Sequence, residues 1–221
     1  MLTQRDLELF LWINSFKYVQ AQHIFHKFQV SKNFYRRLRF LTQNEFLAYE
    51  AIFRGIPGHY MCTKKATDVA QDELSPPRTV DLAAYHHDMK LVDLALEMER
   101  RTHGRWITER RLRSTIGEEG LRRFNQHYPD GLLLLDNGEK KYRIAIELEH
   151  LNRKSKKRLA KIIEKYLDGS SSVGHADQVA YFCCSQAIQQ KVSGVVKSLA
   201  ADRLVEVRLL SEILQGGKKE A

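Results

Sequence analysis

The chain has 221 residues, 43% hydrophobic and 29% charged, which suits two small folded domains and excludes a disordered chain. No stretch approaches the roughly 18 apolar residues of a membrane helix, and the N-terminal residues lack the apolar core of a secretion signal, so a cytoplasmic protein without membrane insertion is expected. A net charge of +9 biases it toward polyanions, and Cys62, Cys183 and Cys184 show no zinc spacing and read as buried thiols.

Residues 3–16 carry Leu7, Phe10, Leu11 and Ile13 or Asn14 at helical spacing behind a Thr3 cap, with Asp6 three residues on. A second short helix is expected over 20–28. A third follows a Ser31 cap, with Phe34, Leu38 and Leu41 as its apolar stripe and Lys32, Arg36, Arg37 and Arg39 on the remainder. Strand formers at 46–53, a turn at Gly55, Pro57 and Gly58, and a return at 59–62 complete a helix, helix, helix, hairpin order. That is the order of a winged helix-turn-helix, in which the third helix reads the major groove and its basic residues hold phosphates. The bland alternative for these arginines is a solvated helix face.

Glu73-Leu74-Ser75-Pro76-Pro77 reads as a joint, dividing a domain at 1–75 from one at 76–215, with a disordered tail at 216–221. A long helix is expected over 78–102. Strands at 128–135 and 141–149 flank the turn Asp136-Asn137-Gly138. A basic helix at about 153–167, a strand at 178–184, a helix at about 185–200 and a strand at 204–209 follow. The order β-β-α-β-α-β implies a mixed sheet flanked by helices, an α+β or α/β domain.

The chemistry gathers in this second half. Residues two apart on a strand share a face, so Glu147 and Glu149 point together, away from Ile144, Ile146 and Leu148. Two such carboxylates need a cation to stay ionised, either a metal or a nearby Lys or Arg. Asp130 begins the neighbouring strand and brings a third carboxylate to the same sheet end. Hard oxygen ligands of this kind suit Mg²⁺ or Mn²⁺.

These residues resemble the PD-(D/E)xK phosphodiesterase superfamily. More narrowly, the chain is similar over about residues 1–200 to the replication-relaxation family, the MobC-type mobilisation proteins that pair a winged helix with a restriction-endonuclease-like domain. The likeness rests on the winged-helix order, HHDMKLVDLALE at 86–97, WITERRLR at 106–113, PDG at 129–131, and IELEH followed by lysines and Tyr166. It implies a specific duplex DNA site such as a transfer origin, metal-dependent nicking, and relaxosome or coupling proteins as partners. It assigns Asp130 to the PD aspartate, Glu147 to the first acid of the motif and Glu109 to the helical acid. Glu149 stands where the superfamily has lysine. The lysine can move to the following helix, where Lys154 and Lys161 are the candidates and Glu149 becomes a further metal ligand. Departure at Glu149 also keeps open a non-enzymatic regulator or relaxosome accessory protein.

Arg153, Lys154, Lys156, Lys157, Arg158, Lys161 and Lys165 crowd one helix, either as a solvated face or as a phosphate-tracking surface. His86 and His87 point about 100° apart on a helix, so a structural role for the His-His-Asp string is favoured. Tyr166 and Trp106 read as packing residues.

Overall fold

The computed structural model describes residues 1–29, 34–118 and 126–214, so Ser31, Lys32 and the tail at 216–221 lie outside the described residues. The fold is mixed α+β, with one three-stranded and one five-stranded sheet. The chain forms two compact units, Met1–Val92 and Asp93–Ala221.

The first unit runs α1 (Gln4–Ser15), β1 (Tyr18–Gln20), α2 (Ala21–Phe28), α3 (Phe34–Gln43), β2 (Leu47–Glu50), β3 (His59–Cys62) and α4 (Lys64–Val69). Thr3 caps α1 through the expected box with Asp6. The buried stripe of α1 is Asp6, Leu9, Phe10, Ile13 and Asn14, whereas Leu11 is exposed. The stripe shifts because Asn14 is drawn inward, its amide donating to Asp72 at 2.9 Å and the Leu74 carbonyl at 2.7 Å. Strand β3 lies between β1 and β2, antiparallel to both.

Residues 78–84 are not helical, contrary to expectation. The Asp81 carboxylate accepts the Ala83 N–H at 3.0 Å, a local side-chain turn that competes with helix, and α5 starts at Tyr85 and ends at Thr102. The division between the units falls within α5, downstream of the Glu73–Pro77 joint. Within the first unit, Asp88 accepts the Tyr18 hydroxyl at 2.8 Å and pairs with Lys17 and His87 at 3.4 Å. Asp88, not a histidine pair, is therefore the hub of the His-His-Asp string.

The second unit continues with β4 (Arg105–Thr108), α6 (Glu109–Glu118), β5 (Gly131–Asp136), β6 (Lys141–Glu149), α7 (Lys156–Leu167), β7 (Gln178–Cys183), α8 (Gln186–Ser198), β8 (Val205–Leu209) and α9 (Leu210–Leu214). The sheet order is β4-β5-β6-β7-β8. Strands β4, β5 and β6 pair antiparallel, whereas β6, β7 and β8 are parallel and joined through α7 and α8. The Asp136-Asn137-Gly138 hairpin is present, and Gly138 takes the positive φ of 84° that its turn demands. One sheet face buries Leu132, Ala145, Val179, Tyr181 and Val205 against Leu159, Ile163, Tyr166, Val192 and Val196 of α7 and α8. Leu133, Ile146, Leu148 and Phe182, which alternate with them, are buried as well. Burial on both faces explains why the centre of this sheet reads as near-continuous apolar sequence. Cys62 and Cys183 are buried and Cys184 is half-buried. No helix among the described residues is long and apolar enough to cross a membrane.

Candidate active site

Strand register decides where the acids meet. Strands β5 and β6 pair Gly131 with Ile146, so one step further the pairing brings Asp130 beside Glu147. The Asp130 carboxylate accepts the Leu148 N–H at 2.7 Å, which anchors it across the strand end. Its carbonyl accepts the Glu109 N–H at 3.3 Å. Gly131 is required by close approach: a Cβ there would lie 2.1 Å from Cζ2 of the buried Trp106 ring. The glycine of the PDG segment thus seats the strand that presents Asp130.

Glu147 is 1% exposed and Glu149 4%, both on the sheet face that α7 and α8 cover. Burying carboxylates is costly without partners, and each has them. The Tyr166 hydroxyl donates to Glu147 Oε1 at 2.5 Å, and His127 Nε2 lies 2.5 Å from the same oxygen. The Lys154 ammonium donates to Glu149 Oε1 at 2.5 Å and stands 3.9 Å from Glu147 Oε2. Lys154, expected within a helix at about 153–167, lies outside the helix that forms, which starts at Lys156. Ser155 caps α7, its Oγ accepting the Arg158 N–H at 3.2 Å, so Lys154 falls in the preceding loop and turns back to the strand end. Lys191 on α8 holds that loop by donating to Asn152 at 2.7 Å and to the Lys154 carbonyl.

The Lys154 ammonium thus binds Glu149, stands beside Glu147 and feels the charge of Asp130. Burial works against the Lys154 charge, yet Glu147, Glu149 and Asp130 hold its pKa above the ordinary value. Burial lifts the Glu149 carboxyl above its ordinary value in spite of Lys154, and Glu147 and Asp130 add to the rise. The crowded carboxylates act in both directions, raising the Lys154 ammonium and adding to the effect of burial on Glu149. Burial and the Glu147 charge likewise raise the Tyr166 phenol, which stays protonated as a donor. Burial, then Glu149, pushes the Cys183 thiol up to about 12, so it is no nucleophile at neutral pH. Among the described residues, no three His, Cys, Asp or Glu side chains stand close enough to hold a metal ion as they are placed.

The structure therefore brings together Asp130, Glu147, Glu149 and Lys154. Glu109 is next to Asp130 through its backbone, but its side chain is turned to Arg113 at 2.6 Å. Lys161 is exposed on α7, as are Lys156, Lys157 and Arg158, and Arg153 is exposed just before the helix. In the first unit Arg36 and Arg39 are exposed on α3, but Arg37 is occupied. Its guanidinium donates to Asp6 at 2.9 and 2.5 Å and to the Met1 carbonyl at 3.0 Å. The sequence reading missed His127, and Tyr166 is more than a packing residue. His127 lies in QHYPD, three positions before Asp130, and only that proximity marks it.

No protein-family model and no curated protein matches the chain. A solved structure, protein VC1899 from Vibrio cholerae, aligns at 10% identity with a TM-score of 0.26, over 96% of this chain and 48% of that one. The chain spans about half the length of that protein, and a likeness at this level carries no argument about fold or function.

Proposed function

We propose that the chain binds duplex DNA and cleaves a phosphodiester bond with Mg²⁺ or Mn²⁺, at a specific site of the transfer-origin kind. The observation that supports this reading is the meeting of Asp130, Glu147, Glu149 and Lys154 at one sheet end. The strand order of the second unit, antiparallel through β4, β5 and β6 and parallel into β7, is compatible with a restriction-endonuclease-like core. The order α1-β1-α2-α3-β2-β3, with β3 central, is that of a winged helix and supports site selection by the first unit.

Three carboxylates are the donor type that a hard divalent cation takes, although as placed no three of the described side chains stand close enough to hold one. Asp130, Glu147 and Glu149 would hold the ion. Bound there, it would stabilise charge on a phosphodiester and make a water molecule more acidic. Lys154, kept protonated by its carboxylate neighbours, serves as a fixed cation near the phosphate rather than as a base. Exposed Arg153, Lys156 and Lys157 extend positive charge along the chain beside it. A supercoiled plasmid carrying the cognate site tests the reading, because metal-dependent nicking lost in Asp130→Ala and Glu147→Ala is expected.

A second reading is a non-enzymatic DNA-binding regulator or relaxosome accessory protein with a degenerate nuclease fold. The placement of Lys154 as the partner of Glu149 favours it, since the lysine then replaces an ion. It predicts site-specific binding in EDTA and no scission with any divalent ion.

A further inference from the structure

We propose that Tyr35, Tyr49 and Tyr60 form an aromatic face on the first unit that stacks unpaired nucleobases, so that the DNA it takes carries a single-stranded stretch. The inference rests on the DNA-binding reading of the first unit and not on cleavage.

Tyr49 and Tyr60 are opposite residues of the antiparallel β2–β3 pair, so their side chains share one face of the hairpin. Their ring centroids lie 5.0 Å apart. Glu50 and His59, the next pair, point to the other face. Gly58 makes room for the Tyr49 ring: a Cβ there would lie 2.4 Å from Tyr49 Cζ. On α3, Tyr35 is held edge-on to Phe25 of α2, with centroids 4.7 Å apart. Burial raises the Tyr60 phenol above its ordinary value, and Tyr49 and Tyr35 add to the rise, which brings Tyr35 within electrostatic reach of the hairpin pair. Although packed from behind, Tyr35 is 54% exposed and Tyr49 51%. Large rings normally bury most of their surface, so neighbouring rings held in place and left half open mark an interaction site.

The surrounding charge selects the occupant. Arg36 and Arg39 are exposed on α3 with Tyr35, and Arg54 is exposed in the loop that joins β2 to β3, whereas Arg37 is committed to Asp6. Guanidinium groups beside open phenols complement a polyanion that also carries flat rings, and nucleic acid supplies phosphates and π faces together. In an intact duplex the base faces are stacked on one another and closed to side chains. Only an unpaired base offers a face to tyrosine.

The test is fluorescence anisotropy of the full chain at low salt with three dye-labelled probes: a mixed-sequence duplex, the same duplex with a short gap of unpaired thymines, and an oligothymidine strand. Wild type is expected to bind the gapped duplex more tightly than the intact one by about 5–100-fold, the range of a single base stacked on an aromatic ring. Tyr35→Leu and Tyr49→Leu keep apolar bulk but lose the π face. Each is expected to lose most of that preference, and of the oligothymidine affinity, while binding intact duplex as wild type does. Tyr49→Phe keeps the ring and is expected to keep the preference. Thermal melting checks each fold, and because the two tyrosines lie on different elements, either variant serves if the other does not fold. Equal wild-type affinity for gapped and intact duplex overturns the proposal and leaves duplex binding standing. A preference retained in the folded leucine variants overturns it as well. So does a Tyr49→Phe loss as large as that of Tyr49→Leu, which would assign the contact to the hydroxyl. Absence of wild-type binding to all three probes removes the DNA-binding reading, and the inference with it.

Discussion

Lys154 Nζ lies 2.5 Å from Glu149 Oε1, so the strand position that carries an acid where the motif has lysine is answered by a lysine five residues later. Removing one partner of a buried ion pair leaves the other uncompensated, at a cost of about 3–5 kcal/mol. Lys154→Ala is therefore expected to destabilise the second unit by about that much at neutral pH, read by urea unfolding. The sign of its pH dependence follows from Glu149. With a folded pKa above 4.5, the native state binds more protons than the unfolded chain, so stability falls as pH rises beyond that value. Loss of Lys154 deepens this fall, and the variant recovers toward acid pH. A pH-independent deficit would contradict the pairing.

Glu97 on α5 behaves in the opposite sense. Arg100, opposed by burial and joined by Arg101, holds its carboxyl at about 2 against an ordinary 4.5. Between these values the unfolded chain binds more protons, so the contribution is complete above pH 4.5 and is lost as pH falls toward 2. Glu97→Gln should flatten this acid limb. Trp106 lies in the second unit, where its backbone N–H donates to Glu99 at 3.1 Å, so its fluorescence in a Trp12→Phe background follows that unit alone. An unchanged acid limb in Glu97→Gln would show that the Arg100 and Arg101 pairs do not act in solution.

Gly131→Ala tests the close approach of β5 to Trp106. The added Cβ falls 2.1 Å from the indole, and overpacking of this kind costs about 1–3 kcal/mol. A shifted Trp106 emission and a lower urea midpoint are expected, with Mn²⁺ affinity reduced because Asp130 is displaced. Full stability in this variant would rule out the packing described.

The arginines of α3 should separate by role. Arg37→Ala strands Asp6, a 3% exposed carboxylate, and is expected to lower the melting temperature of the first unit. Arg36→Ala and Arg39→Ala leave stability unchanged but each should reduce the salt dependence of duplex binding, by about 0.9 in logarithmic slope for every phosphate no longer neutralised. Equal slopes for wild type and both variants would remove α3 from the interface.

The hairpin at 136–138 and the clustering of Asp130 with Glu147 and Glu149 were legible because each has a local mark: a turn tripeptide, and acids at even spacing on a strand. Strands β1 and β4 were not, since three or four residues hold too little alternation to register, and Trp106 looked only like a core aromatic. The helical pattern at 78–84 was overridden by the Asp81 side chain. Lys154 was readable as a candidate, but its direction depends on where Ser155 starts α7. The shared Glu147 oxygen was hidden because His127 and Tyr166 approach it from positions 39 residues apart in the chain, joined only by the fold.

The central claim, that this acidic site cleaves DNA, is tested most directly by incubating supercoiled plasmid bearing the cognate site with wild type and Glu147→Ala in Mg²⁺, Mn²⁺ or EDTA. Open-circle product that requires both the metal and Glu147 is predicted. A clean shift of the same DNA by wild type, with no nicking under any metal, would contradict the claim and leave the carboxylates and Lys154 as the ion-paired remnant of a nuclease site.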